Sequence, residues 1–287
     1  MKKFVASLAL VPLAFGLAAC GSSDSASSSD ETVRIGVVGS SDSNKKLVEV
    51  AAEEGINVEL VEFSDYSQPN PALNAGDIDM NWFQHIAYLS DYNVKNDDNL
   101  QIVGPTVIYP MAMFSTTHSS ISDLPDGAEV AIPNDTVNEA RALKLLEANG
   151  LVSFTSEVDT PTIDDVDSAA SKVKVTPVDA TQTVISMESV DASVINNDFL
   201  MDAGLDPKNA LAQDDPANES ARPYVNLFVA QADEADNETY KKIVEIFHTD
   251  AVLQAVQEET QGTAVEVDID LEELRSTLAT LEDKLRG

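Results

Sequence analysis

The chain has 287 residues, with 50 acidic against 17 basic side chains and a formal net charge of −33. Such an excess of acid, with no run of Lys or Arg, excludes nucleic acid as a partner and implies a solvated, self-repelling surface. At 43% hydrophobic residues the chain can bury a full core in one large domain or two lobes, and a single cysteine leaves no intrachain disulfide.

The N-terminus reads as an export signal: Lys2 and Lys3, an apolar run from Phe4 to Ala19, then Cys20 and Gly21. That run falls short of the about 20 residues needed to cross a bilayer as a helix. Small residues before the only cysteine, Leu17-Ala18-Ala19-Cys20, resemble the lipobox of bacterial lipoproteins. Residues 1–19 are therefore expected to be cleaved and Cys20 to carry lipid, diacylglyceryl and palmitate-type acyl chains together anchoring stably where one does not. An ordinary signal peptide with an incidental cysteine is the alternative. Residues 20–32 then form a lipidated cysteine and a flexible Ser/Asp/Ala tether, which places the folded body at the cell membrane, facing outside the cytoplasm.

Strands and helices alternate along the body. Val33 to Val38 reads as a strand, Asn44 to Glu54 as a helix stopped by Gly55, and Ile56 to Phe63 as a second strand. Further strands are expected at Leu100 to Val103, Val107 to Ser115, Glu129 to Ile132, Val173 to Pro177 and Ala192 to Ile195, with a helix from Thr136 to Ala148. The alternation implies α/β lobes with largely parallel sheets, whose ligands sit beyond the carboxyl ends of the strands. Gly36-Val37-Val38-Gly39 lacks the third glycine of a dinucleotide fingerprint and reads as a tight strand-to-helix turn. At the far end Leu271, Leu274, Leu278, Leu281 and Leu285 make a narrow apolar stripe behind a cap-like Asp270, an extra helix packed on the body.

Two constellations carry chemistry. In the first, Pro133 ends a strand, Asn134 or Asp135 can cap the next helix, and Asn138 and Arg141 lie three apart on one helical face. Arg supplies a bidentate fork for a carboxylate beside a helix N-terminus. A capped surface helix whose arginine pairs with Glu147 or another acid explains the same residues. In the second, Trp82, Phe83, His85 and Tyr88 crowd into seven residues of a chain that is only 6% aromatic. They can line an apolar pocket suited to a thioether or alkyl chain, or they can be core, with His85 a satisfied core histidine.

From here the chain resembles a known family, the methionine-binding lipoproteins of ABC importers (the NlpA/MetQ family). The resemblance runs from about Val33 to about Gly262 through Asp65-Tyr66, Pro69-Asn70, Gly76-Asp77-Ile78-Asp79, Asn81-Trp82-Phe83-Gln84-His85, Tyr88-Leu89, Tyr109-Pro110-Met111, Asn138-Glu139-Ala140-Arg141, Val194-Ile195-Asn196, Ala203-Gly204-Leu205 and Pro223-Tyr224-Val225-Asn226. It implies a two-lobe, type II periplasmic-binding-protein-like α/β fold with the ligand cleft between the lobes. A thioether cage of Tyr66, Phe83, His85 and Tyr88 follows, with Arg141 on the ligand carboxylate, Asn138 assisting, and Asn196 and Asn226 binding the amino and carboxylate ends. The implied partners are methionine or a similar amino acid and an ABC permease with its ATPase subunit; no cofactor or metal is implied. The chain departs from the family at Thr136-Val137, where Pro-Thr is usual, and at Ala140, where Gly is usual.

On this basis residues 33–115 and 226–262 form lobe 1, residues 116–225 lobe 2, and residues 263–287 the extra helix, with crossings near Ser115 and Tyr224. An enzyme on the same fold would need a nucleophile with its base or a metal cluster. His85, His118 and His248 are far apart in sequence, and Asp77 with Asp79, or Glu266 with Asp268 and Asp270, lack a calcium loop's ligand series. A surface-interaction lipoprotein without a transport role remains the reading of another class, as does a related ligand such as D-methionine, a methionyl dipeptide or another small amino acid.

Overall fold

The computed structural model describes residues 32–287, so the expectations for the signal segment, Cys20 and the tether lie outside the described residues. In chain order the first lobe opens with β1 (Thr32–Val38), α1 (Asp42–Glu53), β2 (Asn57–Phe63), α2 (Pro69–Ala75), β3 (Met80–Asn81), α3 (Ile86–Asn96) and β4 (Gln101–Ile108). The chain then enters β5 (Ala112–Phe114), β6 (Glu129–Pro133), α4 (Thr136–Ala148), β7 (Lys174–Val178), α5 (Thr183–Ser186), β8 (Ala192–Ile195) and β9 (Ala212–Gln213). It returns through β10 (Val225–Ala230), α6 (Glu238–Phe247), α7 (Asp250–Glu259), β11 (Val265–Glu266) and α8 (Leu271–Arg286).

These strands form two sheets, ordered β11-β4-β10-β3-β1-β2 and β7-β6-β8-β5-β9. Both are mixed rather than largely parallel. β1 pairs parallel with β2 and β3, and β6 with β7 and β8, but β10 runs antiparallel to β3 and β4, and β5 to β8 and β9. The reversed β5 and β10 are the first strands the chain enters after each crossing, so they run away from the interlobe junction while the βα units run toward it.

The first crossing also lies earlier than Ser115. The expected strand Val107 to Ser115 is split: β4 ends at Ile108, Tyr109-Pro110-Met111 cross over, and β5 pairs in the second sheet. Pro110 has no N–H for a ladder, which ends pairing at this point. The second crossing falls at Tyr224, immediately before β10. β11 pairs with β4, so the segment after Gly262 joins the first lobe's sheet and is part of its body.

Each lobe has its own core. In the first, Ile35 and Val37 of β1, Leu47 of α1, Trp82, Phe228 and Phe247 are packed together, the Trp82 ring 5.1 Å from both phenylalanines. In the second, Val130 and Ile132 of β6 pack against Leu143 and Leu146 of α4. α8 is anchored on the first lobe by Leu274 and Leu278, buried with Leu89, Ile102 and Leu227, each such side chain contributing about 1.5–3 kcal/mol. The Asp270 carboxylate caps it by accepting from the Glu273 N–H at 2.8 Å. No helix among the described residues is long and apolar enough to cross a membrane.

Candidate ligand-binding site

The carboxyl ends of the βα strands and the two crossings bring one pocket together. The turn after β1 follows the expected design: Gly39 takes a φ of 70°, and Ser41 begins α1 with a reciprocal cap to Asn44. In the short segment between β3 and α3, which bends at Phe83, successive side chains go to different surroundings. Trp82 goes into the core, whereas Phe83 and His85 line the pocket. Gln84 points into a fully buried amide cluster, its Nε2 donating to Asn70 Oδ1 at 2.6 Å and to Asn81 Oδ1 at 2.8 Å. Asn70 Nδ2 returns a bond to Gln84 Oε1 at 2.9 Å, which locks the segment that presents Phe83 and His85.

Four rings lie together on one side of this pocket. Tyr66 and Phe83 have centroids 6.0 Å apart, Phe83 and Tyr88 5.7 Å, and His85 and Tyr88 6.3 Å. The Tyr88 hydroxyl donates to the Tyr66 carbonyl at 3.1 Å, and the Tyr66 hydroxyl donates across the cleft to Asp198. Burial, reinforced by the Asp198 charge, holds the Tyr66 phenol well above its ordinary pKa, so it remains a donor. His85 caps α3, its Nδ1 accepting from the Tyr88 N–H at 3.1 Å. The proton therefore sits on Nε2, which donates to Asn138 Oδ1 of the other lobe at 3.3 Å. Burial first, then the neighbouring Arg141 charge, push the imidazole pKa down to about 3, so the ring is neutral.

The polar side of the pocket comes from α4 and the strand ends. Asp135 caps α4 through the Asn138 N–H at 3.0 Å and also receives Asn138 Nδ2 at 3.0 Å. With Asn196 Nδ2 donating to Asn138 Oδ1 at 3.1 Å, the Asn138 amide is saturated by protein groups. Asn138 thus joins the lobes and sets its neighbours, while Arg141, one helical turn on, faces the same pocket. Arg141 is only 5% exposed. Its Nε donates to Asp214 Oδ2 at 2.6 Å, its Nη2 to the Tyr109 carbonyl at 2.9 Å, and its guanidinium carbon lies 4.2 Å from the Tyr224 ring centre. Nη1 makes no protein hydrogen bond among the described residues, leaving one edge of the fork for an anion. The pairing acid is Asp214, not Glu147.

Asn196 Oδ1 is buried without a hydrogen-bond partner, an acceptor suited to an ammonium group. Asn226 faces the same pocket, positioned by a β-bridge to His85. All eight residues expected to hold a ligand, Tyr66, Phe83, His85, Tyr88, Asn138, Arg141, Asn196 and Asn226, line this one pocket, which encloses about 400 Å³ counted with its opening to solvent. Sequence reasoning missed Asp214, Asp198, Tyr109 and Tyr224. Tyr109 and Tyr224 stand in motifs noted for the family, but nothing local marks Asp214 among 50 acids.

Two α/β lobes joined by two crossings, with a small polar and aromatic pocket between them, define the two-lobe type II periplasmic-binding-protein-like class. Comparison with known proteins is more specific: the chain matches the NlpA lipoprotein family over residues 33–267 and belongs to it. A Haemophilus influenzae protein named as a probable D-methionine-binding lipoprotein is 35% identical over 234 residues, 78% of this chain and 83% of that protein. The substrate-binding protein of a methionine transporter from Streptococcus pneumoniae has a solved structure similar to this one, with a TM-score of 0.76 and 33% identity, covering 83% of this chain and 96% of that one. A nutrient-binding protein from Burkholderia cenocepacia, solved bound to methionine, gives a TM-score of 0.76 at 34% identity, covering 81% and 98%.

Proposed function

We propose that this protein is the extracytoplasmic substrate-binding lipoprotein of an ABC importer and that its ligand is methionine. The observation that carries the reading is the joining, in one interlobe pocket, of an aromatic cage with an oriented arginine fork. The cage of Tyr66, Phe83, neutral His85 and Tyr88 suits a thioether, since polarisable sulfur packs well against aromatic edges. The free edge of Arg141 takes the carboxylate through charge-assisted bonds, and the unpartnered Asn196 Oδ1 with Asn226 takes the ammonium end. Relatives named for methionine binding and methionine transport support this ligand. Bonds from His85 to Asn138 and from Tyr66 to Asp198 span the lobes, so capture and closure are one event.

In this reading the chain carries no catalysis, metal or cofactor. It hands its ligand to a permease, and ATP is hydrolysed by the permease's ATPase subunit. Cys20 supplies the lipid anchor at the outer face of the cell membrane. The test is calorimetric titration of protein stripped of carried-over ligand with L-methionine, D-methionine and an amino-acid panel. Selective saturable binding that weakens at least about a hundredfold in Arg141→Ala is expected, two charge-assisted bonds being worth about 3 kcal/mol or more. Absence of binding to any amino acid or methionyl dipeptide would refute it.

A further inference from the structure

A second void lies at the same interlobe junction. It measures about 1140 Å³ with its open mouth and is walled by α3 and α8 of the first lobe, the start of α4 in the second, and Pro223 and Tyr224 at the crossing. Its apolar wall is Val137, Ala140, Leu281, Leu285 and the Tyr224 ring. Leu285 is 46% exposed at the end of a helix whose Leu274 and Leu278 are covered.

Lys144 and Lys284 also border this groove, and neither makes an ion pair or side-chain hydrogen bond among the described residues. Where acids outnumber bases by 50 to 17, two unneutralised ammonium groups beside one apolar groove need explaining. Of the acids at the groove, Asp91 is held by Lys95 at 3.0 Å, which leaves Asp159 as the one unpaired carboxylate. An apolar trough bordered by two unpaired ammonium groups against one unpaired carboxylate fits a molecule with one anionic head and an aliphatic body.

The partition between this groove and the first pocket is Tyr224. Its ring stacks on the Arg141 guanidinium at 4.2 Å and meets the His85 ring edge-on at 5.3 Å. Val137 and Ala140 are chain neighbours of Asn138 and Arg141 on α4. Whatever fills the groove therefore presses on the residues that set the carboxylate and thioether ends of the first site.

We propose that this groove is a second ligand site for a single-headed anionic amphiphile, a medium-chain fatty carboxylate, coupled to the first pocket through Tyr224. The carboxylate sits between Lys144 and Lys284 and the chain lies along Leu281, Leu285, Val137 and Ala140. Because both lobes contribute walls, an occupant stabilises this mutual arrangement of the lobes. By linkage it tightens binding in the first pocket, and the first ligand tightens the groove by the same factor.

The test titrates the full-length protein with decanoate, below its micelle concentration and with no amino acid present. One saturable site is expected, with affinity rising about fourfold per added methylene across a homologous series until the groove is full. Binding should weaken about tenfold in the double variant Lys144→Glu, Lys284→Glu, whose exposed and unpaired positions leave folding intact, and decyltrimethylammonium should bind far more weakly. Leu285→Glu serves as an independent block of the chain's path. No saturable heat, undiminished binding in both variants, or equal binding of the cationic amphiphile would overturn the site. In a second arm, saturating decanoate should tighten methionine about fivefold or more; unchanged methionine affinity would overturn the coupling. The first arm contains no methionine, so its failure and that of the importer reading are separable.

Discussion

Lowering the pH should destabilise the fold through His85 in a way that can be isolated from the many carboxylates. His85 is 6% exposed and its pKa is pushed down to about 3 in the folded protein, whereas an unfolded histidine titrates near 6.5. Between these values the unfolded chain binds more protons at this residue than the folded one. The stability due to neutral His85 is therefore fully present above about pH 6.5 and is lost progressively as pH falls toward about 3. Going from about pH 7 to about pH 5 should cost roughly 2 kcal/mol at this residue. Urea unfolding of the wild type and of His85→Gln at both pH values measures it. Loss of the ring's cap on α3 and its bond to Asn138 costs the variant stability at each pH, and those terms cancel in the difference of differences. The wild type should lose about 2 kcal/mol more than the variant over this interval. Equal losses would show that the folded ring titrates like an unfolded one, and a greater loss in the variant that the fold favours the charged ring; either would sink the account of a ring kept neutral by burial. His85 should contribute no pH dependence to methionine affinity across the same interval, because the folded ring does not change charge; any change there is expected from Asp198 in the same pocket, whose carboxyl burial pushes up to about 6.

Three further outcomes follow from the packing. Tyr66→Phe keeps the cage ring but removes the donor to Asp198 across the cleft, and should speed methionine dissociation about fivefold, the worth of one hydrogen bond near 1 kcal/mol, by stopped-flow fluorescence. Asp214→Ala leaves the buried Arg141 charge with only the Tyr109 carbonyl and the Tyr224 ring. It should lower unfolding free energy by about 2 kcal/mol in urea melts, less than for a fully buried pair because Asp214 is 21% exposed. Leu278→Ala opens a cavity beneath α8 and should cost about 2–5 kcal/mol by the same measurement; a loss below about 0.5 kcal/mol would mean that α8 is only loosely attached.

The elements most legible in the sequence are those whose apolar period meets a clear stop. α4 spans Thr136–Ala148 and β8 Ala192–Ile195, as their patterns predict, because Pro133, Asp135 and Gly150 bound the helix and turn residues bound the strand. Val107 to Ser115 misleads for a physical reason. Met111 is buried as fully as the strands on either side, so hydrophobic continuity persists while the chain leaves one sheet for another. Only Pro110 betrays the break. Strand direction was equally hidden, since β5 and β10 have the composition of parallel core strands and owe their reversed sense to the crossings that feed them. In the pocket, the density of rings around His85 and the Asn138–Arg141 spacing are local signals, whereas Asp214 reaches Arg141 from 73 residues away and carries no local mark.

The side chains nearest the proposed ligand do two kinds of work, and their hydrogen bonds tell them apart. Asn138 spends its whole amide on Asp135, His85 and Asn196, so it contributes position and a tie between the lobes. Arg141 is also held, by Asp214, Tyr109 and Tyr224, yet retains one edge, and Asn196 retains one buried acceptor. Asp214 already balances the Arg141 charge, so the pocket presents separated donor and acceptor poles in place of a strong net field. A zwitterion satisfies both poles at once, whereas a simple carboxylate or amine leaves one buried polar group unmet at a cost of about 1–3 kcal/mol. The aromatic cage, which holds no formal charge while His85 stays neutral, then sorts candidate amino acids by side chain.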